Sequence, residues 1–294
     1  MTLQKSQSSP ARAVSGQRKP QPFLPRAWAV LGMIALLFGG FFPLLWTVLT
    51  SLKTETELQA KPVQYLPSVL RLENYNQVFI AQPFGRFFFN STLTAGLSTL
   101  VCVVFAALAA YALSRLKIRA RGLLLAIVVV FSMFPAIALA VPLFKIMREL
   151  GILNTYPALI LPYVALNLPI SILTLVAFFS SIPADLESAA QVDGCSKVGA
   201  LWHVILPLAV PGVVTAGLIT FVNSWNEYLL ALLLNTNAQM RNLSVGVTLY
   251  QGEFSFPWAL MSAAIVVALV PIVLLIVLFQ RRLVSGLTAG SVKG

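Results

Sequence analysis

The side chains able to do chemistry are few in this sequence and stand apart from one another. His203 is the only histidine among 294 residues, which excludes a histidine-built metal site within the chain. Cys102 lies in an apolar run and Cys195 in a polar gap, so neither a disulfide framework nor a metal-ligand spacing is present. The sequence contains no Gly-x-x-x-x-Gly-Lys-Ser/Thr phosphate loop, no His-Glu-x-x-His and no Gly-x-Ser-x-Gly. The chain is therefore expected to hold no metal and no cofactor, and to catalyse nothing by itself. Two polar groups remain. One is the stretch from about Ile182 to Pro207, which holds Asp185, Glu187 and Asp193 against Lys197 alone. The other is Asn223, Ser224, Trp225, Asn226 and Glu227, in which Glu227 is the only acid well inside an apolar run. Amides, a carboxylate and an indole can hydrogen-bond hydroxyls and stack on an apolar ring face. The same side chains serve equally as hydrogen-bonding glue between helices, and the sequence leaves both readings open.

The elements that must position these groups are membrane helices. Hydrophobic residues make up 58% of the chain, mean hydropathy is +0.86 and only 10% of residues are charged. A soluble domain carries about 25% charged residues, so most of this surface faces something other than water. The net charge of +11 does not indicate a nucleic-acid partner. The basic residues lie in short gaps between long apolar runs, as the positive-inside bias requires. Six runs have the roughly 20-residue length needed to cross about 30 Å of hydrocarbon as a helix. They fall near 27–50, 88–114, 122–147, 157–181, 208–232 and 259–280. Pro135, Pro142, Pro162, Pro169 and Pro271 should kink or break them locally. The expected organisation is a disordered basic lead-in (1–26), a six-helix membrane domain (27–280) and a tail (281–294). With the N-terminus inside, the inner segments hold thirteen Lys/Arg against seven outside, which places both ends in the cytoplasm. The lead-in and the run Arg115, Lys117, Arg119 and Arg121 decide that balance.

The acidic segment 182–207 is cytoplasmic by parity yet disobeys the charge bias. Pro183 suits the first turn of a helix, and Asp185 and Glu187 complement its dipole. Gly194 is placed to end that helix in a left-handed conformation. Ser196 can cap a second short helix, with Val198, Leu201, Trp202 and Ile205 offering apolar contacts. Physics alone gives a cytoplasmic helix–turn–helix suited to docking.

This segment resembles the loop of ABC importer permeases, which reads Glu-Ala-Ala, three residues, Gly, nine residues, Ile-x-Leu-Pro. Ser188, Ala189, Ala190, Gly194, Val204, Leu206 and Pro207 stand at that spacing, with Asp193 before the glycine. Ser188 replaces the glutamate and Val204 the isoleucine, and Glu187 falls one residue early. The C-terminal residues from Gln280, Asn90-Ser91, Met133-Phe134-Pro135 and Trp225-Asn226-Glu227 are similar to the maltose-type permeases of carbohydrate importers.

The resemblance covers roughly residues 27–294 and implies a type I importer permease fold, all-α, with a cytoplasmic coupling helix. It implies a di- or oligosaccharide cargo of the maltose, maltodextrin or trehalose kind, taken up across a bacterial or archaeal inner membrane. The partners it implies are a second permease subunit, two ATPase subunits that bind ATP and Mg²⁺, and an extracytoplasmic sugar-binding protein. On this resemblance Glu187, Ser188, Ala189, Ala190, Asp193, Gly194, Leu206 and Pro207 form the ATPase-coupling loop. Asn223, Trp225, Asn226 and Glu227 are then candidates for the substrate path. Gly286, Gly290, Lys293 and Gly294 would reach from the tail to the ATPase. The alternatives are a permease for glycerol phosphate or a polyamine, and an ATP-independent carrier. The carrier predicts no docking loop, and usually paired intramembrane charges or repeat halves.

Overall fold

The computed structural model describes residues 26–252 and 256–289, with the side chains of 28–252 and 256–280. The chain divides into two units at Trp46/Thr47. The first is represented by most of α1 (Arg26–Ser51), an apolar helix whose side chains from Trp28 to Leu45 are all exposed. A helix apolar on every side is a membrane span. Phe38, Phe42 and Trp46 stack in turn along one of its faces.

The second unit starts with a polar excursion carrying α2 (Glu55–Leu58) and α3 (Glu73–Ala81). Its interior is polar: Lys53, 1% exposed, donates to the Gln64 carbonyl at 2.6 Å, and the Arg71 N–H returns to the Leu52 carbonyl at 3.0 Å. Glu57 forms a capping box with Thr54 and also takes both donors of Ser68. The Ser68 hydroxyl above all, then the Thr54 and Ser68 N–H groups, lower its carboxyl from 4.5 to about 2.

Three crossings follow before the next polar segment. α4 (Phe84–Arg115) is long enough to span alone. α5 (Arg121–Ser132) and α6 (Ala136–Glu149) meet at 90°, and α7 (Tyr156–Ser181) spans alone. The break between α5 and α6 sits at Pro135, where Met133 and Phe134 tighten onto the Val130 and Phe131 carbonyls. A residue before proline is pushed out of the helical region, so the turn cannot continue. Pro142, Pro162, Pro169 and Pro271 instead lie within continuous helices.

Next come α8 (Ala184–Val192) and α9 (Lys197–Ala200), a π-turn over Leu201–Ile205, and α10 (Leu206–Leu208). A bend of 81° leads into α11 (Val210–Asn226). The expected run 208–232 is interrupted: Glu227 is extended, with ψ 123°, before α12 (Leu229–Leu234). α13 (Leu243–Gly246) and a 3₁₀ turn over Val247–Tyr250 precede α14 (Trp258–Ala289). Counting each bent pair as one, the described residues provide six candidate spans.

The core is the packing of α4, α7 and α11. Ala106, Ala107 and Ala110 of α4 meet Leu175 and Phe179 of α7 and Ala216 of α11. Small residues let helix backbones approach where no hydrophobic effect drives them together. One close approach is at Gly212, where a Cβ would stand 2.3 Å from the Phe178 ring.

Candidate functional site

The coupling segment has a buried root and an exposed face. In α8 only Glu187 is buried, at 8% exposure, while Ser188, Ala189, Gln191 and Val192 are exposed. Ser188 Oγ donates back to the Ala184 carbonyl at 3.3 Å, so the serine spends its hydroxyl within its own helix. Gly194 turns the chain at φ +92°, beyond which lies open space for a side chain but a strained backbone. Asp193 is exposed beside it, and Ser196 caps α9 by accepting from the Gly199 N–H at 3.0 Å. Ala190 is half-buried, and Leu206 and Pro207 lead α10 into the bend. Val198 and Trp202, expected to make apolar contacts, are instead 61% and 54% exposed, whereas Leu201 and Ile205 are in the core.

Glu187 is held from the membrane side. Tyr111 Oη donates to its Oε1 at 2.5 Å, and Gln191 Nε2 lies 3.4 Å from the same oxygen. Arg115 Nε stands 3.8 Å from Oε2. The Arg115 guanidinium donates to the Phe179 carbonyl and, at 2.6 Å, to the Ile182 carbonyl, so a cation closes the C-terminus of α7. In the sequence Arg115 stands out only as a loop charge, and Tyr111 only as a residue of an apolar run.

Within the membrane domain, a file of hydrogen bonds joins α4, α7 and α11. Ser171 and Thr220 hydroxyls lie 2.9 Å apart beside Cys102. Asn167 faces Ser224 at 3.4 Å and accepts from Asn223 Nδ2 at 3.0 Å. Glu227 then caps α12, taking the Leu230 N–H at 2.9 Å, the Ala231 N–H at 3.1 Å and Tyr163 Oη at 3.1 Å. The Trp225 ring is 4% exposed, packed on Phe88 and Phe221, with its N–H on the Ala268 carbonyl at 3.2 Å. Asn223 and Asn226 are exposed. Asn226 borders a cleft of about 150 Å³ with Ser244, Val247 and Ile265. Of the four path candidates, Asn223 and Asn226 are therefore exposed, Trp225 is buried in the packing, and Glu227 is committed to α12 and Tyr163. Asn90 and Ser91 serve elsewhere. Asn90 donates to the Gln239 and Arg241 carbonyls, both at 2.9 Å, and Ser91 takes the Leu243 N–H at 2.8 Å. They pin the segment 235–243 to α4. Gly286 lies in α14, while Gly290, Lys293 and Gly294 lie outside the described residues.

Bent membrane helices thus surround an interrupted, hydrogen-bonded core, with the helix pair α8–α9 exposed beyond it. Residues 77–288 match the family described as the binding-protein-dependent transport system inner membrane component, and the chain belongs to that family. It is 54% identical to the sulfoquinovosyl glycerol transport system permease protein of Agrobacterium fabrum, over 88% of this chain and 91% of that one. It is 39% identical to the trehalose transport system permease protein of Mycobacterium tuberculosis, over 91% of this chain and 97% of that one. Its fold matches a crystal structure of a bacterial ABC transporter involved in import of the acidic polysaccharide alginate. That match has a TM-score of 0.75 at 23% identity, covering 89% of this chain and 99% of the other. The chain is thus an inner-membrane ABC importer permease of the type I fold, a transport subunit rather than an enzyme.

Proposed function

We propose that this permease carries a small glycoside or oligosaccharide inward, by alternating access driven by ATP hydrolysis on separate subunits. The observation that carries the cargo class is the 54% identity to a permease for sulfoquinovosyl glycerol, joined by 39% identity to one for trehalose. Both cargoes are glycosides. A second permease subunit completes the pathway, two ATPases bind ATP and Mg²⁺, and an extracytoplasmic protein delivers the sugar. Both termini face the cytoplasm, on the charge asymmetry of the sequence. α8, with Ser188, Ala189 and Asp193 outward and Gly194 as its turn, docks on an ATPase; Gly286, Gly290, Lys293 and Gly294 extend the contact from the tail. Asn223 and Asn226 offer amides to the passing hydroxyls, with Trp225 and Glu227 fixing the backbone behind them.

The test is uptake of labelled sulfoquinovosyl glycerol, trehalose, maltose, maltodextrin and glycerol phosphate by cells with and without the gene. Loss of one glycoside, restored by the intact gene but not by Gly194→Val in membranes containing the variant, supports both cargo class and docking loop. Loss of glycerol phosphate alone overturns the carbohydrate assignment.

A further inference from the structure

A docking helix must present a face to its partner and still transmit force to the membrane core. α8 has only nine residues, and α9 four, too few to hold helical form without tertiary support. The π-turn after α9 is tied to the core by apolar packing, through Leu201 and Ile205 against the α4–α7 cluster. α8 has no such anchor: Leu186 is 44% exposed and Val192 86%, and the one buried side chain is the charged Glu187. Its attachment is therefore polar, and it converges on two residues of α4.

Tyr111 Oη has a single proton and faces two acceptors, Glu187 Oε1 at 2.5 Å and the Lys197 carbonyl at 2.9 Å. The one O–H is thus shared between the two arms of the turn at Gly194, with the shorter contact to Glu187. Arg115, one helical turn further on, joins the Phe179 and Ile182 carbonyls of α7 to the same carboxylate. Side-chain exposures of 8% for Arg115 and 11% for Glu187 keep water out of the pair. The hydrogen bonds of Tyr111 to Glu187 and of Arg115 to the α7 carbonyls are directional, so they resist rotation where an apolar contact would slide, and the Arg115–Glu187 approach adds an ion pair. Arg115 Nε makes no hydrogen bond and stands 3.8 Å from Glu187 Oε2, which leaves the contact room to tighten.

We propose that Tyr111, Arg115 and Glu187 form the pin that makes α8 move as one body with the inner ends of α4 and α7. Tyr111 and Arg115 are positioning residues for coupling. This rests on α8 being the docking helix. Without the pin, a push on α8 is spent on swinging it about Pro183 and Gly194 instead of tilting the spans.

The experiment uses the complete importer in proteoliposomes, with its ATPases and a binding protein loaded with labelled trehalose or sulfoquinovosyl glycerol. Tyr111→Phe, Arg115→Lys and the double variant are compared for sugar carried per ATP hydrolysed and for intact complex by size exclusion. Both single variants are expected to assemble, to keep unstimulated hydrolysis near wild type and to lose at least threefold in sugar per ATP. The double variant should be no worse than the worse single one, because parts of one pin fail together. Unchanged stoichiometry, or independent multiplying losses, would overturn the pin. So would failure of Tyr111→Phe to assemble, which would make the hydroxyl a folding requirement. Ala189→Glu, on the exposed face of α8, separates the two readings: if it transports normally, the docking reading itself fails. If it blocks coupling while the pin variants behave as wild type, only the pin fails.

Discussion

Glu227 shows how a residue's chemistry depends on what it touches. Its sequence position marks it as the single acid within an apolar run, open to a role in cargo binding or in helix association. In the fold its carboxylate takes N–H groups from Leu230 and Ala231 and the hydroxyl of Tyr163, so it acts as the cap of an interrupted helix. Capping needs an acceptor oxygen more than it needs a charge. Glu227→Ala is therefore expected to cost about 1–2 kcal/mol, the usual value of a lost N-cap, and Glu227→Gln about half as much. Thermal unfolding of the assembled complex in detergent measures both. Equal losses for Ala and Gln would mean that the charge, not the oxygen, is what the site requires. Asn223 and Asn226, by contrast, are exposed, although Asn223 Nδ2 also donates to Asn167.

At the scale of elements, the outline of the six crossings was legible because a bilayer demands long apolar helices, and length with hydropathy reads them directly. The breaks were legible only in part. Pro135 ends a helix whereas Pro162 and Pro169 do not, since neighbouring helices can satisfy the backbone groups a proline frees. The interruption at Glu227 carries no proline or glycine, so local signals gave no warning of it. The coupling segment was legible in its turn and cap, because Gly194 and Ser196 act on their own backbone. Its root was not, because Tyr111 and Arg115 lie more than seventy residues away from Glu187 in sequence. Close helix approach is equally silent: Gly212 looks like any glycine near a proline. A Cβ there would stand 2.3 Å from Phe178 Cγ and 2.7 Å from its Cβ, atoms too near the α7 backbone to swing aside. Gly212→Ala should overpack the α7–α11 contact by about 1–3 kcal/mol. A lowered melting temperature of the complex, relieved in part by pairing the change with Phe178→Ala, which removes Cγ and the ring, is the expected result. An unshifted melting temperature would show that the helices part at no cost.

For the whole molecule the open question is where the energy for transport enters. A carrier driven by an ion gradient needs a titratable or ion-binding group within the membrane that can exchange its ligand as the protein turns over. The one acid that the sequence places well inside a span has its oxygens committed to Leu230, Ala231 and Tyr163. Among the described residues no cluster of three His, Cys, Asp or Glu is set to hold a metal ion. What the fold does offer at one end is an exposed helix pair whose single buried acid is rooted in α4, with Arg115 also bonded to the C-terminal carbonyls of α7. A conformational change can be driven only by a ligand that binds two states differently, and the proposed docking of α8 on an ATPase would supply one. Proteoliposomes holding the complete importer should accumulate trehalose or sulfoquinovosyl glycerol when supplied with ATP and binding protein, with no ion gradient imposed. On the proposed ATP-driven cycle, removal of ATP should stop uptake, and collapse of a proton or sodium gradient should leave it running. Uptake that continued without ATP and followed the imposed gradient would locate the driving group inside the membrane and return Glu227 to the centre of the mechanism.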